Sequence, residues 1–145
     1  MFNWQDYAVV NVRTAAILTT SYVAGTIIGA KNATLNSPSP TDVCLEGYNQ
    51  CSLLVDFTIG SLTSLEVMVE YGIDDGVGGY LWYEDTFLSY STKTGSASLG
   101  TYQMTDAGKY IISVPIKARY IRVSAKGTGT TTNSTCNIKA IIGTV

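Results

Sequence analysis

The sequence predicts an all-β protein: a two-sheet antiparallel β-sandwich, jelly-roll-like, with an extended N-terminal segment. Three observations predict it. Short stretches of alternating apolar and polar residues follow one another with turn signals between them, and such alternation puts one set of side chains on each face of a strand. No stretch sustains the apolar period of a helix. Fourteen Gly and ten Tyr against three Pro, with Ser and Thr abundant, favour strands and tight turns. At 145 residues, 46% hydrophobic and 14% charged, the chain is a single domain able to bury a core.

Residues 7–12 and 15–20 read as the first strands, followed by a long extended run over 22–30. Gly25 and Gly29 inside that run predict bulges or close backbone approach. Residues 31–42 form a loop, because Pro38 and Pro40 cannot sit in a central strand. Leu53, Val55, Phe57 and Ile59 alternate with Ser52, Leu54, Asp56 and Thr58, and Leu65, Val67, Val69 and Tyr71 with Glu66, Met68 and Glu70. With Gly60-Ser61-Leu62-Thr63 between them, the pair predicts a hairpin. Residues 72–79 read as a flexible loop, and strands follow near 80–84, 86–91 and 97–104, with a turn at 105–108.

Tyr110, Ile112 and Val114 share one face of the next strand. A Pro115-Ile116-Lys117-Ala118 corner leads to a strand in which Arg119, Ile121, Val123 and Ala125 alternate with Tyr120, Arg122 and Ser124. The last strand spans about 134–142. Residues 1–40 differ in texture from 41–145. They are N-terminal strands or an arm, plus the Pro-containing loop, ahead of the sandwich core.

The net charge of −2 argues against a nucleic-acid binder. The sign is unevenly spread, with ten acids and one base over 42–106, and six bases and no acid over 109–139. The two halves can pair within one subunit or between subunits. On alternation, Arg119 and Arg122 point to opposite faces and make no flat basic patch.

Without a histidine, Ser-His-Asp, Cys-His and imidazole metal sites are impossible. No phosphate-binding glycine loop is present in its required context, so an enzyme and a cofactor are not expected. Asp74, Asp75, Glu84 and Asp85 cluster around a loop and are a calcium candidate, weighed against a solvated hairpin loop. Tyr80, Trp82, Tyr83, Phe87 and Tyr90 suggest a sugar-stacking site, but alternation sets Tyr80 and Trp82 opposite Tyr83. Cys44, Cys51 and Cys136 lack zinc spacing and read as buried thiols, with a Cys44–Cys51 bridge open. The start of the chain does not read as a signal peptide, and residues 14–30, though uncharged, are too polar and short to span a membrane.

Residues 46–60, from Glu46-Gly47-Tyr48 to Thr58-Ile59-Gly60, with Leu65-Glu66-Val67-Met68-Val69-Glu70-Tyr71, carry a resemblance. Together with Gly108-Lys109-Tyr110 through Arg119-Tyr120-Ile121-Arg122-Val123-Ser124-Ala125-Lys126-Gly127, they resemble small β-sandwich virion proteins of tailed bacteriophages. The resemblance covers roughly residues 45–142 and is structural rather than catalytic. It implies a capsid decoration (cement) protein or another head or tail accessory protein, located in the virion and assembled in the host cytoplasm. Its implied partners are the major capsid protein or another virion protein, and itself as a homo-oligomer, a trimer being favoured. No nucleic acid or membrane is implied.

Residues 118–123 are also similar to the penultimate strand of galactose-binding-like jelly rolls. The alternative function is accordingly a carbohydrate-binding module or a fibre component that recognises host glycans around 80–85. The candidate interface residues are Tyr7, Val9, Ile17, Tyr22, Ile27, Tyr80, Trp82, Arg119 and Arg122.

Overall fold

The computed structural model describes residues 7–29, 45, 48–85, 88–90, 97–99 and 101–144. Its strands are β1 (Tyr7–Ala16), β2 (Val23–Ala24), β3 (Gln50–Thr58), β4 (Leu62–Asp74), β5 (Tyr80–Glu84), β6 (Leu88–Tyr90), β7 (Ala97–Leu99), β8 (Thr101–Met104), β9 (Gly108–Val114), β10 (Tyr120–Gly129) and β11 (Thr135–Gly143). No helix occurs among the described residues.

Sheet A has the order β1-β11-β3-β9. Sheet B has the order β2-β10-β4-β5, and β8 joins the first half of β4 on the same side as β5. All pairings are antiparallel. Setting aside the β5–β7 excursion leaves eight strands in which only the step from β4 to β8 stays within one sheet. That is the double Greek-key path of a jelly roll.

The core is the space between the sheets. Leu53, Val55 and Phe57 of β3, Ile138, Ala140 and Ile142 of β11, and Val10 of β1 face Val67 and Val69 of β4 and Ile121 and Val123 of β10. These residues are almost entirely excluded from water. Each of the Val, Leu, Ile and Phe side chains among them contributes about 1.5–3 kcal/mol by leaving it. The alternation of β3 appears directly as buried Cys51, Leu53, Val55 and Phe57 against less buried neighbours.

The predicted hairpin of 53–59 and 65–71 is not one. Both strands form, but β3 lies in sheet A and β4 in sheet B, so the turn is a corner from one sheet to the other. Alternation fixes which residues face inward, and both arrangements bury the same ones. In the corner the Leu62 N–H donates to the Ile59 carbonyl at 3.0 Å. Gly60 has φ +55°, and a Cβ there would stand 2.5 Å from the Asn133 carbonyl oxygen in the β10–β11 turn. Two other corners are pinned by tyrosines: the Tyr110 hydroxyl donates to Asp106 O and the Tyr71 hydroxyl to Pro115 O, each at 2.6 Å.

The N-terminal segment belongs to the sandwich over the described residues 7–29, with β1 in sheet A and β2 in sheet B. The strand expected over 15–20 is absent. β1 loses register at Asn11/Arg13 and again at Arg13/Ala16, and the Arg13 guanidinium folds back onto the carbonyls of Ala16 (3.4 Å) and Ile17 (3.0 Å). The extended run over 22–30 is a strand only at Val23–Ala24, with a further bridge from Ile28 to Ile121. Its glycines do mark close approach: a Cβ on Gly25 would collide with the Val12 carbonyl, and one on Gly29 with that of Arg119. The Pro loop over 31–42 lies outside the described residues.

The loop expected over 72–79 is shorter, because β4 continues to Asp74 and pairs with β5. Asp75 organises the remaining turn, its Oδ1 accepting from the N–H groups of Val77 and Gly79, both at 2.8 Å. The strands expected at 86–91 and 97–104 appear as the short β6 and as β7 and β8.

Candidate functional site

Two outward faces of the sandwich are candidates, and they differ in chemistry. On sheet B the register sets Glu66, Glu70 and Asp74 of β4 on one face, with Lys126, Arg122 and Tyr120 of β10 beside them. Lys126 pairs with Glu66 at 3.1 Å. Arg122 clamps Glu70 with two bonds, Nε to Oε1 at 3.0 Å and Nη2 to Oε2 at 2.8 Å. Asp74 accepts the Tyr120 hydroxyl at 3.1 Å and pairs with Arg119 at 3.5 Å.

Lys117 reaches the buried Asp85 at 2.8 Å, and on sheet A Lys109 stands 3.9 Å from Asp56. The basic stretch therefore meets the acidic one within a single chain. The expectation that Arg119 and Arg122 diverge fails. Arg119 sits in the bend before β10 begins at Tyr120, where strand alternation does not apply, and both guanidinium groups reach the same row of β4 carboxylates.

The aromatics of this face fill the gaps between ion pairs. Tyr80 and Trp82 stack with centroids 5.4 Å apart, and Tyr80 meets Tyr120 edge-on at 4.9 Å. The Arg122 guanidinium carbon lies 4.4 Å from the Trp82 ring centroid. Gly72, directly opposite Trp82, makes room for the indole, since a Cβ there would stand 2.5 Å from its Cζ3. Along β4, Tyr80 lies at the level of Asp74 and Arg122 at the level of Glu70, with Trp82 between them. Trp82 is thus flanked along the strand by Tyr80 on one side and Arg122 on the other. Tyr83 points the other way and is exposed. Phe87 and the side chain of Tyr90 lie outside the described residues.

Tyr22 closes the far end of this face. Its hydroxyl donates to Glu66 at 3.2 Å, and the Lys126 ammonium stands 4.7 Å from its ring centroid. Burial first, then the nearby Glu66 charge, push the Tyr22 phenol up to about 12. Burial also raises Tyr71 and Tyr102, and with the Asp74 hydrogen bond it raises Tyr120.

The proposed calcium ligands do not converge. Asp74 serves Tyr120 and Arg119, Asp75 caps its own turn, Asp85 holds Lys117, and Glu84 stands on β5 across from Glu70. Among the described residues no cluster of three or more potential metal ligands exists. Cys51 and Cys136 are free buried thiols, each pushed up to about 11 by burial. Cys44 itself lies outside the described residues.

The outer face of sheet A is different. Tyr7 and Val9 of β1, Ile141 of β11, Leu54 of β3 and Ile111 of β9 form an oblique apolar band across the four strands, which steps from the Val9–Ile141 pair to the Leu54–Ile111 pair with Ser52 opposite Ile141 and Lys139 opposite Leu54. Tyr7 is 63% exposed and Ile111 74%. Tyr7, Ser52, Leu54, Ile111 and Ile141 line a shallow groove of about 350 Å³. Of the candidate interface residues, the structure brings Tyr7 and Val9 together here. It places Ile17 alone and exposed beyond β1, and commits Tyr22, Tyr80, Trp82, Arg119 and Arg122 to the sheet B network, while Ile27 is half-buried between β2 and the Ile28 bridge.

Leu54, Ile111 and Ile141 of this band were not among the candidate residues. Their signal was present as Leu53-Leu54-Val55, Tyr110-Ile111-Ile112 and Ala140-Ile141-Ile142, three breaks in alternation on strands that prove adjacent. Comparison with protein-family models, curated proteins and solved structures found no match to this chain.

Proposed function

We propose that this chain is a non-enzymatic structural protein of a tailed-bacteriophage virion, of the capsid-decoration kind. It docks on its shell through the outer face of sheet A. The observation that carries the reading is the apolar band Tyr7–Val9–Ile141–Leu54–Ile111, which lies on an open face rather than in a closed pocket. Contiguous exposed apolar surface of this kind marks protein–protein contact. Burying it stabilises a complex by about 25 cal/mol per Å² before the costs of association.

Sheet B supports the reading from the other side, because its charges and aromatics are already engaged with one another. The virion assignment itself rests on the resemblance of residues 46–60, 65–71 and 108–127. The partner is then the major capsid protein or another virion protein, and the site of action is the particle assembled in the host cytoplasm.

Mass spectrometry of purified parent particles, combined with thermal disruption of shells with and without added protein, tests this. Stoichiometric presence and a raised disruption temperature are expected. Absence from particles, together with glycan-array binding that Trp82→Ala abolishes, would replace this reading with the carbohydrate-binding one.

A further inference from the structure

We propose that two copies of this chain join edge to edge along β9, continuing sheet A across a two-fold axis at Ile111. The contact deepens the assembly reading above by naming the self-contact, and rests on it only for its purpose.

β9 pairs with β3 along one side in unbroken register, from Cys51 opposite Val114 to Phe57 opposite Gly108. Among the described residues no strand pairs with its other side. An open strand edge is a ready template for pairing unless it is blunted. The opposite edge of sheet A is blunted, since β1 carries two register breaks and the folded-back Arg13. In sheet B, β2 is only two residues long. β9 is not shortened, bulged or interrupted by proline: it is seven residues long, Pro115 comes only after its end, and its single charge, Lys109, stands next to its first residue rather than at its middle.

The strand is also self-complementary about its midpoint. Antiparallel pairing centred on Ile111 sets Tyr110 against Ile112, Lys109 against Ser113 and Gly108 against Val114 of the second copy. No like charges face each other across the junction, and the two isoleucines meet at the axis, where apolar cross-strand neighbours stabilise a pair. Ile111 is 74% exposed in the single chain and stands directly beside Leu54. The apolar band that crosses sheet A therefore ends at this edge and continues into the same band of the second copy. A self-complementary contact of this type closes as a dimer and leaves no free end. It gives a two-fold pair in place of the trimer that the resemblance implies.

The test uses the isolated full chain, so that its failure leaves shell docking standing. Sedimentation across a concentration series should give a dimer of 31 kDa, twice the 15.5 kDa chain. Ile111→Lys should weaken it about tenfold or more while leaving the melting curve of the single chain unchanged, since it sets two ammonium groups against each other at the axis. In a Cys44→Ser background, Ile111→Cys should oxidise in air to a covalent dimer, because facing residues of an antiparallel pair lie about 4.5–5.5 Å apart at Cα, within disulfide reach. Ile17→Cys, exposed elsewhere, should not.

A monomer at every concentration, a trimer, or a dimer indifferent to Ile111→Lys overturns the proposal. If Ile111→Lys fails to fold, the Ile111→Cys cross-link decides alone, and its absence is equally fatal.

Discussion

Replacing Glu70 by Ala removes the carboxylate that clamps Arg122, and the structure sets the cost. The pair is bidentate at 2.8 and 3.0 Å, with side chains only 10% and 28% exposed. Hydrogen bonds to charged groups contribute about 1.5–3 kcal/mol when buried. Partial exposure trims this, and Arg122 keeps its contact with Trp82 at 4.4 Å. The expected loss is therefore about 2 kcal/mol.

The Lys109–Asp56 pair is the internal control. It is 3.9 Å long with side chains 86% and 58% exposed, so Asp56→Ala should cost less than about 0.5 kcal/mol. Urea unfolding followed by circular dichroism at neutral pH measures both. A double-mutant cycle with Arg122→Ala should give a coupling of about 1–2 kcal/mol for Glu70, and nearly none for the corresponding Lys109 cycle. If Glu70→Ala costs no more than Asp56→Ala, the sheet B face is not a self-contained network, and its charges are free for a partner.

Three further outcomes follow from the same geometry. Gly72→Val should drive Trp82 from its place between Tyr80 and Arg122 and cost about 1–3 kcal/mol by overpacking; in a Trp4→Phe background the indole emission should shift to the red, and an unchanged spectrum refutes the packing. From neutral pH upward, stability should hold to pH 9 and fall between pH 9 and about 12, because Cys51, Cys136 and Tyr22 are held protonated in the fold above their ordinary values of 9.0 and 10.0, so the unfolded chain releases those protons first. A stability curve flat across that interval contradicts the burial of these groups. Cys51 and Cys136 should resist a thiol reagent in the native protein at pH 8 and react at once in denaturant, and rapid native modification of either would show that the core opens.

The strands were legible because half of each strand faces a dry core, and alternation records that directly, as in β3, β4 and β11. Their pairing was not. Leu53–Phe57 and Leu65–Val69 bury the same side chains whether the chain folds back within one sheet or crosses to the other, so the corner at Gly60 was misread as a hairpin. Partly legible too was the electrostatics, since the segregation of acids from bases anticipated their pairing within the chain but not the individual partners. Arg119 was misplaced because alternation was extended one residue beyond the start of β10.

The apolar face of sheet A was readable only in part. Tyr7 and Val9 stood out singly. Leu54, Ile111 and Ile141 blended into hydrophobic runs and became a band only once β11, β3 and β9 were adjacent.

Partners should meet sheet A and not sheet B. Co-sedimentation of the protein with undecorated parent shells tests it most directly, comparing Leu54→Asp on the sheet A band with Trp82→Ala on the sheet B network. Leu54→Asp should remain folded and fail to sediment with the shells, while Trp82→Ala, though less stable, should bind as the unaltered chain does. Binding that survives Leu54→Asp and is lost in folded Trp82→Ala would put the partner on sheet B instead.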